Sequence, residues 1–304
     1  MTADDGGFDE RAVMADAPPA ADLAPVFSLE LPPGEVSPVI CASPHSGRRY
    51  PSELLAAARL DLRQLRRTED AYVDQLVKGA PARGATLLTA ELGRAYVDLN
   101  RDPLELDPAM FDGPLPAGAK IHSPRVAAGL GVIPKLSASG REIYGQRLVA
   151  REIERRLALA HRPYHAALEQ VVQTAVKAHG CALLLDWHSM PSSAARMGGG
   201  AAPDVVLGDF HGLSCAPSVI DGIEAFFTRQ GYRCQRNQPY AGGYIMERYG
   251  RPADGVHALQ IELNRSLYLD EARLELTPGF DRLRRDLGGL IAAAVRDWRA
   301  MTGA

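Results

Sequence analysis

The segment CALLLDWHS, residues 181–189, is a short apolar run that ends in polar side chains. Two further segments share this design, namely PVICASPHSG at 38–47 and ALQIELNRS at 258–266. Apolar runs of this length, bounded by turn residues, are typical of strands that are buried on both faces of a largely parallel sheet. Ligands of open α/β sheets bind outside the carboxyl ends of the strands. The three segments therefore predict a functional site at one edge of such a sheet.

Three side chains capable of binding a metal follow these runs. His45, His188 and Glu262 lie just past, or at the end of, the three predicted strands. Two imidazoles and a carboxylate at one sheet edge indicate a catalytic metal site, because catalytic zinc has three protein ligands and one open position. The alternative is that unrelated polar residues cap core strands, which is the simpler interpretation for either histidine alone. The coincidence of all three segments favours the site.

A further acidic ligand is expected from the helix after the first strand. The residue three positions past His45 is Arg48, so the His-x-x-Glu pair of zinc carboxypeptidases is absent. A helix predicted to open at Thr68 offers Glu69 and Asp70 in its first turn, and Asp70 is the preferred ligand. The alternative is that both acids only complement the helix dipole.

Composition excludes several classes of protein. The chain has 304 residues, is 46% hydrophobic and 23% charged, and carries a formal net charge of −3. These values are typical of a globular protein large enough for a full core, and they offer no global field for nucleic acid. We find no apolar run of the roughly 18 residues needed to cross a bilayer, and no signal peptide at the acidic N-terminus. Four widely spaced cysteines are expected to be free thiols in a reducing cytosol, so we predict a cytoplasmic protein without a membrane partner.

The order of elements predicts one α/β domain over residues 26–304, after a flexible leader at 1–25. Alternating strands and helices favour a three-layer arrangement, in which a mixed, mostly parallel sheet has helices on both faces. The predicted strands are 39–42, 86–89, 95–99, 182–186, 205–207, 232–235 and 259–263. The predicted helices are 60–65, 68–77, 141–161, 164–178 after a break at Pro163, 217–230 and 278–298. Residues 100–140, rich in Pro and Gly, are predicted to be a long loop and a lid over the metal edge.

Nine blocks of sequence between about residues 38 and 272 carry a family resemblance. They are SPHSGRRYP (43–51), TEDAYVDQL (68–76), YVDLNRDP (96–103), SASGREIYGQRL (137–148), RPYHAAL (162–168), LDWHSMP (185–191), LGDFHGLSC (207–215), NQPYAGGYI (237–245) and ALQIELNRSLYLDE (258–271). Taken in order, these blocks resemble the N-formylglutamate amidohydrolase family.

The resemblance implies both a fold and a reaction. The fold would be the phosphorylase/hydrolase-like α/β fold that zinc carboxypeptidases share. The reaction would be the metal-dependent deformylation of N-formyl-L-glutamate, the last step of one route of histidine degradation. Carried over to this sequence, the metal ligands would be His45, Asp70 and His188, and the catalytic acid/base would be Glu262. The expected cofactor is a divalent metal, with Zn²⁺ preferred, and the expected partner is a small dicarboxylate. The oligomeric state is left open.

Formamide hydrolysis suits these residue types. A zinc-type ion lowers the pKa of bound water to about 7, and a carboxylate such as Glu262 can move the proton. The alternative role for Glu262 is that of an ion-pair partner for Arg265. Ser189 lacks a GxSxG elbow and is not expected to be a nucleophile. Together with Ser46 and Asp186 it is predicted to lie just behind the ligands, where Ser46 and Asp186 would orient the imidazoles.

Capture of a dicarboxylate requires cations. Arg101 follows a strand-like run and is the preferred carboxylate-binding residue, because a guanidinium matches a carboxylate bidentately. Other predicted substrate-site residues are Asn100, Arg94, Arg141, Arg196, Arg265, Gly242 and Gly243, together with His211 as a possible hydrogen-bond donor, whereas His165 is expected to pack or cap.

Two other functions fit the same residues. One is an amidase or carboxypeptidase-like hydrolase of another N-acyl amino acid on this scaffold. The other is a non-catalytic relative that binds a metal or a small acid. The presence of both histidines together with Glu262 disfavours the second, because a binding protein has no need of an acid/base residue.

Overall fold

A seven-stranded sheet forms the centre of the molecule. The computed structural model describes residues 25–195 and 202–303. Its strands are β1 Phe27–Glu30, β2 Val39–Ser43, β3 Thr86–Ala90, β6 Ala182–Met190, β7 Val205–Gly208, β8 Cys234–Arg236 and β9 Val256–Asn264. Two small ribbons pair β4 Phe111–Asp112 with β5 Leu148–Val149 and β10 Leu269–Asp270 with β11 Glu275–Leu276. In the large sheet the strand order is β1-β3-β2-β6-β9-β7-β8, and the strands run parallel except at the pairs β1–β3 and β7–β9. The predicted mixed, mostly parallel sheet is confirmed.

Helices cover both faces of this sheet. They are α1 Ser52–Ala57, α2 Leu62–Arg66, α3 Val73–Val77, α4 Pro124–Ala127, α5 Arg151–Arg156, α6 Arg162–His179, α7 Ser192–Ala195, α8 Pro217–Arg229, α9 Tyr244–Tyr249 and α10 Gly279–Thr302. Alternate residues of β2 divide the core: Ile40 packs in a cluster that includes the apolar face of α6, and Cys41 in a cluster that includes α3, α8 and α10. The predicted three-layer arrangement is therefore confirmed.

The predicted strand at 95–99 is wrong. Residues 94–96 form a turn in which the Tyr96 amide donates to Gly93 O, and the Asp98 amide donates to Val132 O of a distant loop. Ala95, Val97 and Leu99 are all buried, so apolar residues alternate along this segment although it is not a strand. This turn brings the polar residues after it to the sheet edge.

Two helix predictions also need correction. The helix predicted from Thr68 begins only at Val73, because Tyr72 has φ 64° and interrupts the backbone in the left-handed region. Glu69 and Asp70 therefore lie in a turn before the helix. The long helix predicted from Arg141 begins at Arg151, after the short strand β5.

Pro163 does not break the helical run. The π-helical turn Leu157–His161 joins α5 to α6, and Pro163 lies at the start of α6. A π turn shifts the hydrogen-bond register, which accommodates a residue that has no amide donor.

The segment 100–140 holds more structure than the predicted loop. It contains a 3₁₀ turn at Pro108–Met110, strand β4 and helix α4. Among the described residues, no helix is both long and apolar enough to cross a membrane. Residues 1–24 of the predicted leader lie outside the described part of the chain.

Candidate active site

Two histidines and one carboxylate converge at the carboxyl edge of the sheet. His45 lies in the turn directly after β2, whereas His188 lies inside β6 and not past its end, because that strand continues to Met190. Asp70 Oδ2 is 3.0 Å from His188 Nδ1 and 3.4 Å from His45 Nδ1, and the two Nδ1 atoms are 3.1 Å apart. All three residues are buried and their candidate ligand atoms lie within 4.8 Å of one another, so the trio could hold a metal ion.

The far nitrogen of each imidazole is bound by a second carboxylate. His45 Nε2 is 2.7 Å from Asp98 Oδ1, and His188 Nε2 is 2.8 Å from Asp186 Oδ2. With Nε2 as the donor in each contact, the lone pair of Nδ1 would be available to a metal, the arrangement found around metal-binding histidines. Ser46 does not contribute to it, contrary to the prediction, because its hydroxyl bonds to Ser43.

Asp70 is held in place by an arginine. Nη2 of Arg265 lies 3.1 Å from Asp70 Oδ1, and the same guanidinium donates to the carbonyl of Glu69 and, through Nε, to Ser189 Oγ. Arg265 is buried and its donors are engaged by the protein, so the structure gives it a different position from the predicted carboxylate-binding one. Glu69 turns elsewhere, since its Oε1 accepts from Tyr50 at 2.8 Å and from Arg66 at 3.1 Å. Of the two acids, only Asp70 faces the histidines.

The buried charges of Asp70 and His188 stabilise each other. Burial alone would raise the pKa of Asp70, but hydrogen bonds to His188 and His45 outweigh it and hold that pKa well below its usual range. Burial alone would lower the pKa of His188, but Asp186 and Asp70 raise it well above the usual value. A cluster that stabilises positive charge on a buried imidazole also suits a cation.

Glu262 lies beside the His45–Asp70–His188 trio, on the neighbouring strand. In the parallel register of β6 and β9, Asp186 lies opposite Gln260 and His188 opposite Glu262. Because side chains two apart share one face of a strand, these four form one polar surface. Gln260 Nε2 donates to Glu262 Oε1 at 2.8 Å. Burial raises the pKa of Glu262 to about 7, a value suited to general acid–base work.

A cavity of about 610 Å³ opens onto these groups. Arginines from separate segments line it, namely Arg94, Arg101, Arg125 and Arg265. Nε of Arg101 donates to Leu130 O at 2.9 Å and its Nη1 to Asn100 O at 2.7 Å, while Nη2 has no partner among the described residues. Arg141 is exposed and does not line this cavity, contrary to the prediction, and Arg196 lies outside the described residues.

Asn100 connects the cavity floor to the loop before α9. Its Oδ1 accepts from the Ile245 amide at 2.8 Å, and its Nδ2 lies 3.3 Å from His188 Nε2. A Cβ at Gly243 would come within 2.4 Å of the Asn100 amide, and Gly242 has φ 136°, so both glycines permit a close approach of backbone. All three residues line the cavity, where they were predicted. His211 is exposed and does not line it.

Three side chains of this site were not predicted from the sequence, namely Asp98, Gln260 and Arg125. Asp98 was hidden inside the supposed strand at 95–99. Gln260 carried a usable signal, since it lies two residues before Glu262 and must share its face of the strand. Arg125 lay in the predicted loop, where no local pattern distinguishes a cavity arginine from a surface one.

Comparisons with known proteins show the family of this chain. The model of the N-formylglutamate amidohydrolase family matches residues 37–269. N-formylglutamate deformylases from Pseudomonas putida and Pseudomonas aeruginosa are each 32% identical over 237 residues, which cover 77% of this chain and 82% and 83% of the two relatives. These matches confirm the resemblance drawn from the sequence blocks.

Solved structures agree as well. The N-formylglutamate amidohydrolase from Ralstonia eutropha JMP134 is 37% identical, with a TM-score of 0.85 and coverage of 89% of this chain and 97% of that one. A gene product of Agrobacterium tumefaciens shares the fold with a TM-score of 0.63 at 16% identity, over 89% of this chain and 95% of that one.

Proposed function

Because the chain belongs to the N-formylglutamate amidohydrolase family, we propose that it hydrolyses N-formyl-L-glutamate to formate and L-glutamate in a metal-dependent reaction. One observation carries the proposal: the buried trio of His45, Asp70 and His188 opens, beside Glu262, into a cavity that is lined with arginines. The reaction would complete a route of histidine degradation, as the family resemblance implies.

The ligand set fits a divalent ion of the zinc type. His45, Asp70 and His188 would hold it through two imidazole nitrogens and one carboxylate oxygen, a donor set typical of catalytic zinc. Such an ion, when bound, supplies a water of lowered pKa and polarises a carbonyl oxygen. Asp98 and Asp186 keep each Nδ1 available, and Arg265 fixes the carboxylate of Asp70. Zn²⁺ is the ion we propose.

Glu262 would carry the proton. Its Oε1 is engaged by Gln260, whereas Oε2 has no partner among the described residues and is the atom available to accept a proton from water. In the balanced reaction, a C–O bond forms at the formyl carbon, the C–N bond breaks, and the proton held by Glu262 passes to the leaving amine. The raised pKa of Glu262 lets one group perform both transfers near neutral pH.

Arg101 would bind a substrate carboxylate. Its guanidinium is largely buried and is fixed by two backbone carbonyls, while the remaining amino group, Nη2, is unpaired in the described structure and adjoins the cavity. A fixed guanidinium binds a carboxylate with little loss of side-chain entropy. The formyl group is small, so selectivity must come from the rest of the substrate.

Formate release from N-formyl-L-glutamate by the purified protein tests the proposal directly. Activity should disappear after chelation and return with Zn²⁺. The variant Glu262→Gln should keep its metal yet lose about 10²–10⁴-fold in kcat, while Glu275→Gln, on an exposed strand, should match the wild type. N-acetyl and N-succinyl glutamate test the scope of the site. Formate release that persists after complete metal removal, or that proceeds at the wild-type rate in Glu262→Gln, would refute the mechanism.

A further inference from the structure

Arg125 is a cavity arginine with few partners of its own. It lies on the short helix α4, and its side chain is 28% exposed. Its two polar contacts among the described residues are long: Nη1 is 3.6 Å from Glu105 Oε2, and Nη2 is 3.4 Å from Gly242 O. A guanidinium has five N–H donors. Most of the donor capacity of Arg125 is therefore free at the cavity wall.

Arg101 lies within electrostatic reach of both Arg94 and Arg125. Burial lowers the pKa of Arg101, and the nearby charges of Arg94 and Arg125 lower it further, against the opposing effects of Asp98 and Glu105. Asp98 is already shared, since Arg94 donates to its Oδ2 at 2.6 Å and His45 to its Oδ1 at 2.7 Å. Adjacent guanidinium groups in a partly buried cavity are stabilised by an anion that enters between them.

These arginines differ in their contacts. Arg94 donates to Asp98, the carboxylate that is bound to His45, so Arg94 adjoins the candidate metal ligands. The contacts of Arg125 among the described residues are instead with Glu105 Oε2 and Gly242 O. A substrate whose scissile amide lies at Glu262 would therefore direct its more distant end towards Arg125.

We propose that Arg125 binds the side-chain carboxylate of the substrate, while Arg101 binds the α-carboxylate, so that Arg125 determines the preference for a glutamyl over a neutral side chain. The inference rests on the proposed function, because it assumes that the formyl group lies at the metal cluster. The ligand class it selects is an N-acyl amino acid with a terminal carboxylate. On substrate binding, Arg125 would give up its two long contacts with the protein and form a bidentate pair with the substrate carboxylate.

The test compares two substrates of the same shape. N-formyl-L-glutamine replaces one carboxylate oxygen of N-formyl-L-glutamate by an amino group and removes the charge. The wild type should prefer the glutamate substrate in kcat/KM. In Arg125→Met, kcat/KM for N-formyl-L-glutamate should fall about 10- to 100-fold, because a charge-assisted hydrogen bond usually contributes that much. The value for N-formyl-L-glutamine should change little. Arg125→Lys should recover part of the loss, and Arg141→Met, an exposed arginine outside the cavity, should behave as the wild type.

Each outcome separates the two proposals. A loss confined to the glutamate substrate supports the assignment, and the retained activity towards N-formyl-L-glutamine shows that Arg125→Met is folded. If kcat/KM in Arg125→Met is unchanged for both substrates, or falls equally for both, the proposed role of Arg125 is overturned and the proposed reaction stays intact. If the wild type releases formate from neither substrate, the proposed function itself fails.

Discussion

Nη2 of Arg265 lies 3.1 Å from Asp70 Oδ1, while the other oxygen of the same carboxylate, Oδ2, lies 3.0 Å from His188 Nδ1. One oxygen of Asp70 is thus fixed by a buried cation and the other is directed at the histidines. Arg265 also donates to the backbone carbonyls of Glu69, which precedes Asp70, and of Ser189, which follows His188. These contacts suit a residue that orients Asp70, the proposed metal ligand, rather than one that binds substrate.

Substitution of Arg265 should therefore weaken metal binding more than substrate binding. In Arg265→Lys, the affinity for Zn²⁺ should fall about 10- to 100-fold, as is usual when a partner of a metal ligand is lost, while KM of the metal-saturated enzyme stays near the wild-type value. Competition with a chromophoric chelator measures the affinity, and Arg273→Lys, at an exposed position, is the control. A large rise in KM at unchanged metal affinity would restore Arg265 to the substrate-binding role predicted from the sequence.

Asp70 and Glu69 are adjacent acids with opposite expected behaviour. Asp70→Asn should lose the metal, because its Oδ2 faces both histidines. Glu69→Gln should keep it, because that carboxylate is occupied by Tyr50 and Arg66. The metal-to-protein ratio after dialysis gives the answer, with circular dichroism as a check of the fold. If Glu69→Gln lost the metal and Asp70→Asn kept it, Glu69 and not Asp70 would be the acidic ligand.

Glu262 should destabilise the metal-free protein at neutral pH. Its folded-state pKa is raised from 4.5 to about 7 by burial, so folding favours the protonated form. The cost is absent below pH 4.5, grows between pH 4.5 and 7, and is complete above pH 7. Glu262→Gln removes it and should raise the free energy of unfolding by about 3 kcal/mol at pH 8, with little gain at pH 4.5.

Urea unfolding of the metal-free protein at pH 4.5 and pH 8 measures that difference. Glu275→Gln, at an exposed position, should show no such dependence on pH. Equal stability of Glu262→Gln and the wild type at both pH values would show that the carboxylate is charged at little cost in the folded protein.

The central strands β2, β3, β6, β7 and β9 were predictable from the sequence because their signal is local. The apolar runs before His45 and around Leu259 are long enough to specify buried strands, and the turn residues after them mark the sheet edge. The carboxylates that bind the far nitrogens of His45 and His188 were harder to predict from the sequence. Asp186 is two residues from His188 and could be paired with it by strand alternation, but Asp98 reaches His45 only through a turn whose buried apolar residues imitate a strand.

The cavity arginines illustrate the limit of local patterns. Arg101 and Arg141 flank the same Pro- and Gly-rich segment, and Arg101 was preferred only because it follows the strand-like run at 95–99, which is not a strand in the structure. The structure separates them because the Arg101 side chain is fixed by Leu130 O, a contact within that segment, whereas Arg141 stays exposed. Contacts made by an irregular segment depend on tertiary packing, which periodicity does not report.

Two histidines on the long helical run support the cavity floor. His161 Nε2 donates to Arg101 O at 3.0 Å, and His165 Nε2 donates to Leu99 O at 2.8 Å, so the carbonyls on both sides of Asn100 are fixed. Burial lowers the pKa of His161 and holds that of His165 well below the usual value, which keeps both imidazoles neutral near pH 7. The π-helical turn ends at His161, directly before α6, on which His165 lies.

Substitution of His165 should therefore weaken substrate binding and leave the metal content unchanged. His165→Leu leaves Leu99 O buried without its donor, which should lower the free energy of unfolding by about 1–3 kcal/mol and raise KM for N-formyl-L-glutamate several-fold through the displaced Asn100–Arg101 backbone. Metal content should be unchanged, and His165→Gln, which keeps an amide donor, should recover part of the loss. His179→Leu is the matched control, because His179 lies at the exposed end of the same helix and donates to Val36 O at 2.8 Å. Lowered stability together with a wild-type KM in His165→Leu would limit His165 to packing.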